Sequence, residues 1–294
     1  MSKRTWALLA ATIVSIIYGV TFTIAKDVMP KYVQPFGFIT LRVGGSMLLF
    51  WLITPFFSTE KIEKQDFPRI IAAAFFGVAL NMLTFFKGLS YTSPIMGAVL
   101  MVTTPMIVLV LSAILMKERM QNRKIYGLIL GLIGTIFLII YGKSVINASN
   151  ATLGNILVFI NAVSYGFYLI IVKKLMDKYN AFAFVKWIYT FGFLMVLPFG
   201  WSEFQAVDFT NVPMDIFWKI GFVIVFSTFL TYLLNLVSMR ELKPTTVAVF
   251  IYLQPLFATI FAVSLGKDDV TWVKIISAVL IFTGVYLVTQ KGKS

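Results

Sequence analysis

Residues Gly88–Met120 read GLSYTSPIMGAVLMVTTPMIVLVLSAILMKERM, and Ile125–Ile139 continue as IYGLILGLIGTIFLI. A looser copy runs from Met239 to Val288, MRELKPTTVAVFIYLQPLFATIFAVSLGKDDVTWVKIISAVLIFTGVYLV. Shifted by 150 residues, Pro94 meets Pro244, Ala98 meets Ala248, Pro105 meets Pro255, Lys117 meets Lys267, Glu118 meets Asp268, Lys124 meets Lys274 and Gly134 meets Gly284. At a shift of 147, Tyr18-Gly19, Lys26 and Met29 meet Tyr165-Gly166, Lys173 and Met176. One such match is chance. Eleven in chain order, two of them prolines inside apolar runs, mark a duplicated chain.

What surrounds these motifs is apolar almost throughout. Of the 294 residues 59% are hydrophobic and 13% charged, about half the charge of a soluble domain. Such a chain needs lipid as its solvent. Crossing the hydrocarbon takes about 20 apolar residues, which predicts ten spans: Trp6–Ala25, Phe36–Phe57, Arg69–Gly88, Ser93–Met116, Lys124–Tyr141, Leu153–Val172, Phe182–Gly200, Ile216–Met239, Thr245–Leu265 and Trp272–Thr289. Five spans per half is an odd number, so the second half enters the membrane from the opposite face. The expected fold is all-α and integral to the membrane, with ten transmembrane helices as two inverted five-helix repeats, 1–148 and 149–294.

Orientation follows from the short loops. With the N-terminus inside, 16 Lys and Arg lie on the inner side and 7 on the outer, Arg42 and Lys186 being within spans. That bias puts both termini in the cytoplasm of a cell whose inner membrane the protein crosses many times. The net charge of +13 falls in clusters between apolar runs and so marks topology rather than nucleic-acid binding.

The two quoted stretches resemble the EamA-type repeat of the drug/metabolite transporter superfamily, and Arg42 within FITLRVGGS fits the same pattern. The likeness covers Trp6 to Thr289. The second copy departs from it at Gly266-Lys267-Asp268-Asp269, where a Glu-Arg pair is usual. The resemblance implies a central cavity between two four-helix cores, with the fifth and tenth helices at the periphery. It implies no substrate, since such families carry amino acids, sugars, nucleotide sugars, cations and drugs.

Polar groups inside the spans are the candidate site, because they are costly on a lipid face and useful in a wet cavity. Pro105 and Pro255 interrupt the fourth and ninth spans, as paired hinges on the substrate path or as static kinks. Thr104 and Gln254 precede them. Asn81, Asn161, Asn235 and Gln254 either line the cavity or bridge helices. Tyr18 and Tyr165 share a depth under the repeat, each beside a glycine, and are expected to face the cavity. Arg42 is too deep in the second span to reach water easily and would add positive potential; Lys186, four residues into the seventh, is placed to snorkel inward. The expected substrate-binding set is Tyr18, Arg42, Asn81, Thr104, Tyr165, Asn235 and Gln254, with Pro105 and Pro255 as hinges.

The sequence also excludes chemistry. It has no Cys and no His, and no Asp or Glu within any predicted span. Thiolate and imidazole catalysis are excluded, no metal set or cofactor is expected, and no catalytic residue is assigned. No G-x4-G-K-[ST] occurs, so this chain does not drive itself with ATP. The missing membrane carboxylate speaks for a facilitator or exchanger and, with Arg42, for a substrate carrying an anionic group. The leading expectation is a secondary transporter that exports small metabolites, amino acids or related compounds, by alternating access. A lipid-carrier flippase on the same fold and a membrane-embedded enzyme are the competing classes. Its partners would be a small-molecule substrate and the bilayer, with no nucleic acid, in a monomer or homodimer.

Overall fold

The structure, a computed structural model, describes residues 2–57, 60–91, 100–118, 121–140, 151–264 and 271–290. Among these, nine helices are long and apolar enough to cross a membrane, and a shorter apolar helix takes the fourth place. Most begin where the sequence supplies a cap or a proline. Helix α1 (Lys3–Val28) starts at Ser2, whose hydroxyl accepts the Thr5 amide. In α2 (Pro35–Phe57) the first residue is a proline, which gives up an amide that would go unpaired there. Helix α7 (Ala181–Gln205) is capped by Asn180 and α10 (Trp272–Thr289) by Thr271. Helices α5 (Asn122–Ile140) and α6 (Ala151–Met176) are unbroken. The expected start of the fourth span at Ser93, and the expected ends at Tyr141 and Leu265, lie outside the described residues.

The third and eighth spans are not regular helices. Span α3 runs Phe67–Ala74, makes a π-helical turn over Phe75–Ala79 and resumes at Leu80–Tyr91. Span α8 does the same: Met214–Ile224, a π turn over Val225–Leu230, then Thr231–Glu241. The two turns begin 150 residues apart, Phe75 against Val225, and so obey the shift that defines the repeat. Span α9 tightens to a 3-10 turn over Val249–Tyr252 between Pro244–Ala248 and Leu253–Ser264. Just before α4 (Thr104–Leu115) the Thr103 amide likewise bonds three residues back, to Leu100.

Helix packing repeats the symmetry. Helix α2 lies on α7 and α5 on α10, so each pairs with its own counterpart. The two four-way contacts also exchange: α1 meets α8 and α9, and α6 meets α3 and α4. The counterparts run antiparallel. At one end of α2 the Phe36 and Gly37 amides donate to Glu203 near the end of α7, at 2.7 and 2.9 Å. At its other end Thr54 donates to the Phe182 carbonyl at the start of α7. In the second pair Arg123 at the start of α5 reaches Gln290 beyond α10, while Gly134 packs on Leu280.

Glycine sets the spacing of α5 and α10. A Cβ on Gly284 would stand 2.5 Å from the Gly127 carbonyl oxygen and 2.6 Å from the Gly131 nitrogen. Small residues at such crossings let backbones touch where lipid offers no hydrophobic drive for association. The outward faces carry exposed Leu48, Leu52, Phe56, Ile114 and Val279, and Trp6, Trp201, Trp218 and Trp272 sit near helix ends, as interfacial aromatics do.

Both termini share one end of the bundle, because Arg4 donates to the Thr289 carbonyl. Contacts between the halves close this end. Ser238 of α8 donates to the Ala7 carbonyl at 2.9 Å, while within the second half Lys173 of α6 donates to the Met239 carbonyl at 2.9 Å. Glu118 is buried where it accepts from Lys124 and from Thr245. Asp66 accepts from Lys178 at 2.7 Å and from the Tyr179 hydroxyl at 2.6 Å, and Lys178 also reaches Glu63 at 2.8 Å. The Lys178 ammonium holds the Glu63 carboxyl below its usual range.

Two measurements check this packing. Gly284→Val should lower the melting temperature in detergent, an overpacking cost of about 1–3 kcal/mol; an unchanged melt would contradict the close crossing. Lys178→Met should destabilise the protein at neutral pH. Since the folded Glu63 has a depressed pKa, its contribution is present above the carboxylate range and lost as pH falls through it. The gap between native and Lys178→Met melts should therefore narrow on acidification.

Candidate functional site

The polar interior begins where α1 and α6 cross into the opposite half. Gly19 lets α1 rest on the backbone of α9 just past its proline: a Cβ there would lie 2.9 Å from the Ala258 nitrogen and 3.0 Å from the Gln254 carbonyl oxygen. Gly166 of α6 packs instead on the side chains of Ile107, Val108 and Leu111, just past Pro105. These crossings set Tyr18 and Tyr165, the residues before the glycines, toward the midplane between the halves.

There they line a small cavity of about 10 Å³ with Ser15, Asn235 and Gln254, walled by Ala11, Val14, Val247, Phe250 and Ile251. That volume is about the room of one water. Four of the seven expected binding residues thus meet: Tyr18, Tyr165, Asn235 and Gln254. Thr231 ties α8 to α1 by donating to the Tyr18 hydroxyl at 3.2 Å. Ser15, which the sequence reading passed over, donates to the Phe250 carbonyl at 2.9 Å. Its signal was available, since Ser15 lies one helical turn before Tyr18 and shares its face.

The other three expected residues stand apart from this cavity. Asn81 and Asn161 bridge α3 and α6, each side-chain amide donating to the other's backbone carbonyl, at 3.4 and 2.7 Å. Thr104 is fully buried and donates to the Met101 carbonyl. Proline at 105 cannot supply the amide that this carbonyl would receive in a regular helix, so the threonine substitutes for it. Pro105 and Pro255 both sit at tightened turns, in α4 and α9. Lys186 lies over the Trp51 ring, 4.7 Å from its centre, on a face where Trp51 is exposed.

Arg42 is held deeper. It is 9% exposed, and its Nε donates to Thr228 at 3.1 Å. Thr228 belongs to the π turn of α8 and in turn donates five residues back, to the Val223 carbonyl at 2.8 Å. The π turn therefore positions the partner of the buried guanidinium, which no sequence pattern announced. Four tyrosines continue from the cavity wall toward Arg42. Tyr165 lies 5.9 Å from Tyr168, Tyr168 6.0 Å from Tyr232, and Tyr232 5.1 Å from Tyr189, between ring centres. Among the described residues no group of His, Cys, Asp and Glu could hold a metal ion.

Comparison with known proteins agrees with this architecture. The EamA-like transporter family matches the chain twice, over residues 5–140 and 152–290. The uncharacterized transporter YyaM of Bacillus subtilis (strain 168) is 24% identical over 275 residues, covering 92% of this chain and 89% of that one. An uncharacterized transporter of Archaeoglobus fulgidus is 25% identical over 288 residues, 98% of this chain and 99% of its own length. A solved crystal structure superposes with a TM-score of 0.79 over 97% of both chains at 14% identity, a likeness of fold alone. With two matches spanning nearly its whole length, the chain belongs to the EamA-like transporter family.

Proposed function

We propose that the protein is a secondary transporter that exports small metabolites, with amino acids and related compounds the first class to examine, by alternating access across the cell inner membrane. The observation that carries this reading is the polar cavity at the crossing of α1, α6, α8 and α9, where repeat-related Tyr18 and Tyr165 meet from opposite halves. A catalytic reading finds no support there, because the lining offers hydroxyls and amides but no nucleophile with a base beside it.

The repeats, taken as 1–148 and 149–294, are inverted in this reading. The antiparallel pairs α2–α7 and α5–α10 support it, as does the exchange of contacts between the halves. Both termini lie in the cytoplasm, where the loop charges put them. Alternating access then consists of parting the contacts that join the halves at the terminal end while others form at the far end, around a fixed midplane site. At the far end Asp27 of α1 and Lys219 of α8 pair at 2.8 Å, and Glu203 caps α2. Pro105 and Pro255 are placed to bend, since each lacks one hydrogen bond of its helix.

Export is tested with cells loaded with labelled amino acids and with proteoliposomes of the purified protein, against a vector and an empty-liposome control. Pro105→Ala and Pro255→Ala should each slow transport by about tenfold at equal protein amount, the effect of about 1.4 kcal/mol on a barrier. Native rates in both variants would make the prolines static architecture. No transported amino acid or related compound in either assay would overturn the export reading.

A further inference from the structure

Arg42 poses a problem that its hydrogen bond to Thr228 does not solve. A guanidinium this deep costs several kcal/mol unless its charge is balanced. Yet no carboxylate among the described residues pairs with it, and Thr228 is neutral.

Its surroundings hold further unmet demand. The hydroxyls of Tyr168 and of Ser227, next to Thr228 on the π turn, are buried without a hydrogen-bond partner, and that of Tyr189 faces no group but the Tyr232 hydroxyl, which itself donates elsewhere. Tyr168 and Tyr189 are 1% and 0% exposed. Tyr189 stands edge-on to Tyr232, and Tyr232 donates to the Gly77 carbonyl of the other π turn at 2.8 Å. Arg42 lies within electrostatic reach of Tyr18, Tyr189 and Tyr232. Orphaned buried hydroxyls are rare because each forfeits a bond that water would have made. The unpaired guanidinium and the Tyr189 hydroxyl within its reach share one remedy, an anion that accepts from both.

We infer that Arg42, with the hydroxyl of Tyr189, forms the anion-recognition end of the transport site, and that the transported molecule carries a carboxylate. The inference rests on the transporter reading of the same cavity and names its substrate class. A carboxylate suits the site on two counts. One guanidinium balances one negative charge, whereas a phosphate dianion would leave charge over; and the planar fork of Arg matches two carboxylate oxygens. Tyr18 joins the two ends, since it walls the cavity of Asn235 and Gln254 while lying within reach of Arg42. The carboxylate then sits toward α2 and α8 and the rest of the molecule toward α1, α6 and α9.

The test uses the purified full chain in detergent and in proteoliposomes. Probes are benzoate, phenylalanine, leucine and glutamate at millimolar concentration, each beside its neutral amide, with inorganic phosphate as a further arm. Binding is read by thermal shift and by titration calorimetry. The native chain should bind at least one acid about tenfold or more tighter than its amide, and Arg42→Gln should erase that preference. Arg42→Lys, which keeps the charge but not the fork, should retain part of it, and Tyr189→Phe should weaken the acid while leaving the amide unchanged. Should Arg42→Gln fail to fold, the acid–amide comparison on the native chain and Tyr189→Phe still decide. Equal binding of acids and amides, no acid-selective binding by any probe, tighter binding of phosphate than of every carboxylate, or an undiminished preference in Arg42→Gln would overturn the inference. Acid-selective binding without transport in proteoliposomes would instead refute the transporter reading and leave the anion site standing.

Discussion

Within hydrocarbon no water is present to receive a hydrogen bond, so every polar group on a spanning helix must find its partner in the protein. This constraint explains most of the lateral organisation. Ser15 donates to α9, Ser46 to the Ile224 carbonyl of α8, Thr54 to α7 and Ser164 to the Phe76 carbonyl of α3, each hydroxyl fixing one helix against another. Asn81 and Asn161 do so reciprocally. Individually such bonds are worth about 0.6 kcal/mol in a bilayer, and it is their number and placement that set register. Against this background Arg42 stands out, a buried charge that no carboxylate among the described residues balances.

The same constraint gives the π turns their meaning. A π turn widens the helix and shifts which carbonyls are offered to neighbours. In α3 it brings the Gly77 carbonyl to the Tyr232 hydroxyl of α8; in α8 it brings Thr228 to Arg42 of α2. Each irregular span thus serves as the acceptor for a group on another helix, and the two occur at repeat-related positions. The prolines of α4 and α9 act alongside, tightening the chain just before the points where α6 and α1 cross it. Regular geometry holds in α1, α2, α5, α6, α7 and α10, and is given up in α3, α4, α8 and α9.

Much of this was legible in the sequence. Hydropathy located the helices because lipid demands an unbroken apolar run, and the paired prolines and Tyr-Gly motifs exposed the duplication. Tyr18 and Tyr165 were found through that symmetry. Thr104 and Gln254 show where it misleads: they are equivalent in sequence, yet the threonine turns back to the Met101 carbonyl while the glutamine faces the cavity. A short hydroxyl can repair its own helix and a longer amide need not. Asn81 could not be told from a cavity residue, because its partner lies 80 residues away and one-dimensional patterns carry no such pairing. The π turns left no mark either, since Phe75–Ala79 and Val225–Leu230 contain no proline.

In the alternating access proposed above, the substrate's path opens between the halves at the end that carries the termini. Ala7 of α1 and Ser238 of α8 touch there across the repeat boundary, at 2.9 Å from hydroxyl to carbonyl oxygen. Because the chain has no cysteine, Ala7→Cys together with Ser238→Cys introduces a single thiol pair. The decisive measurement is transport in proteoliposomes before oxidation, after oxidation and after reduction. Transport should stop when the pair is joined and return when it is reduced; an unchanged rate in the fully joined protein would rule out an opening at this end.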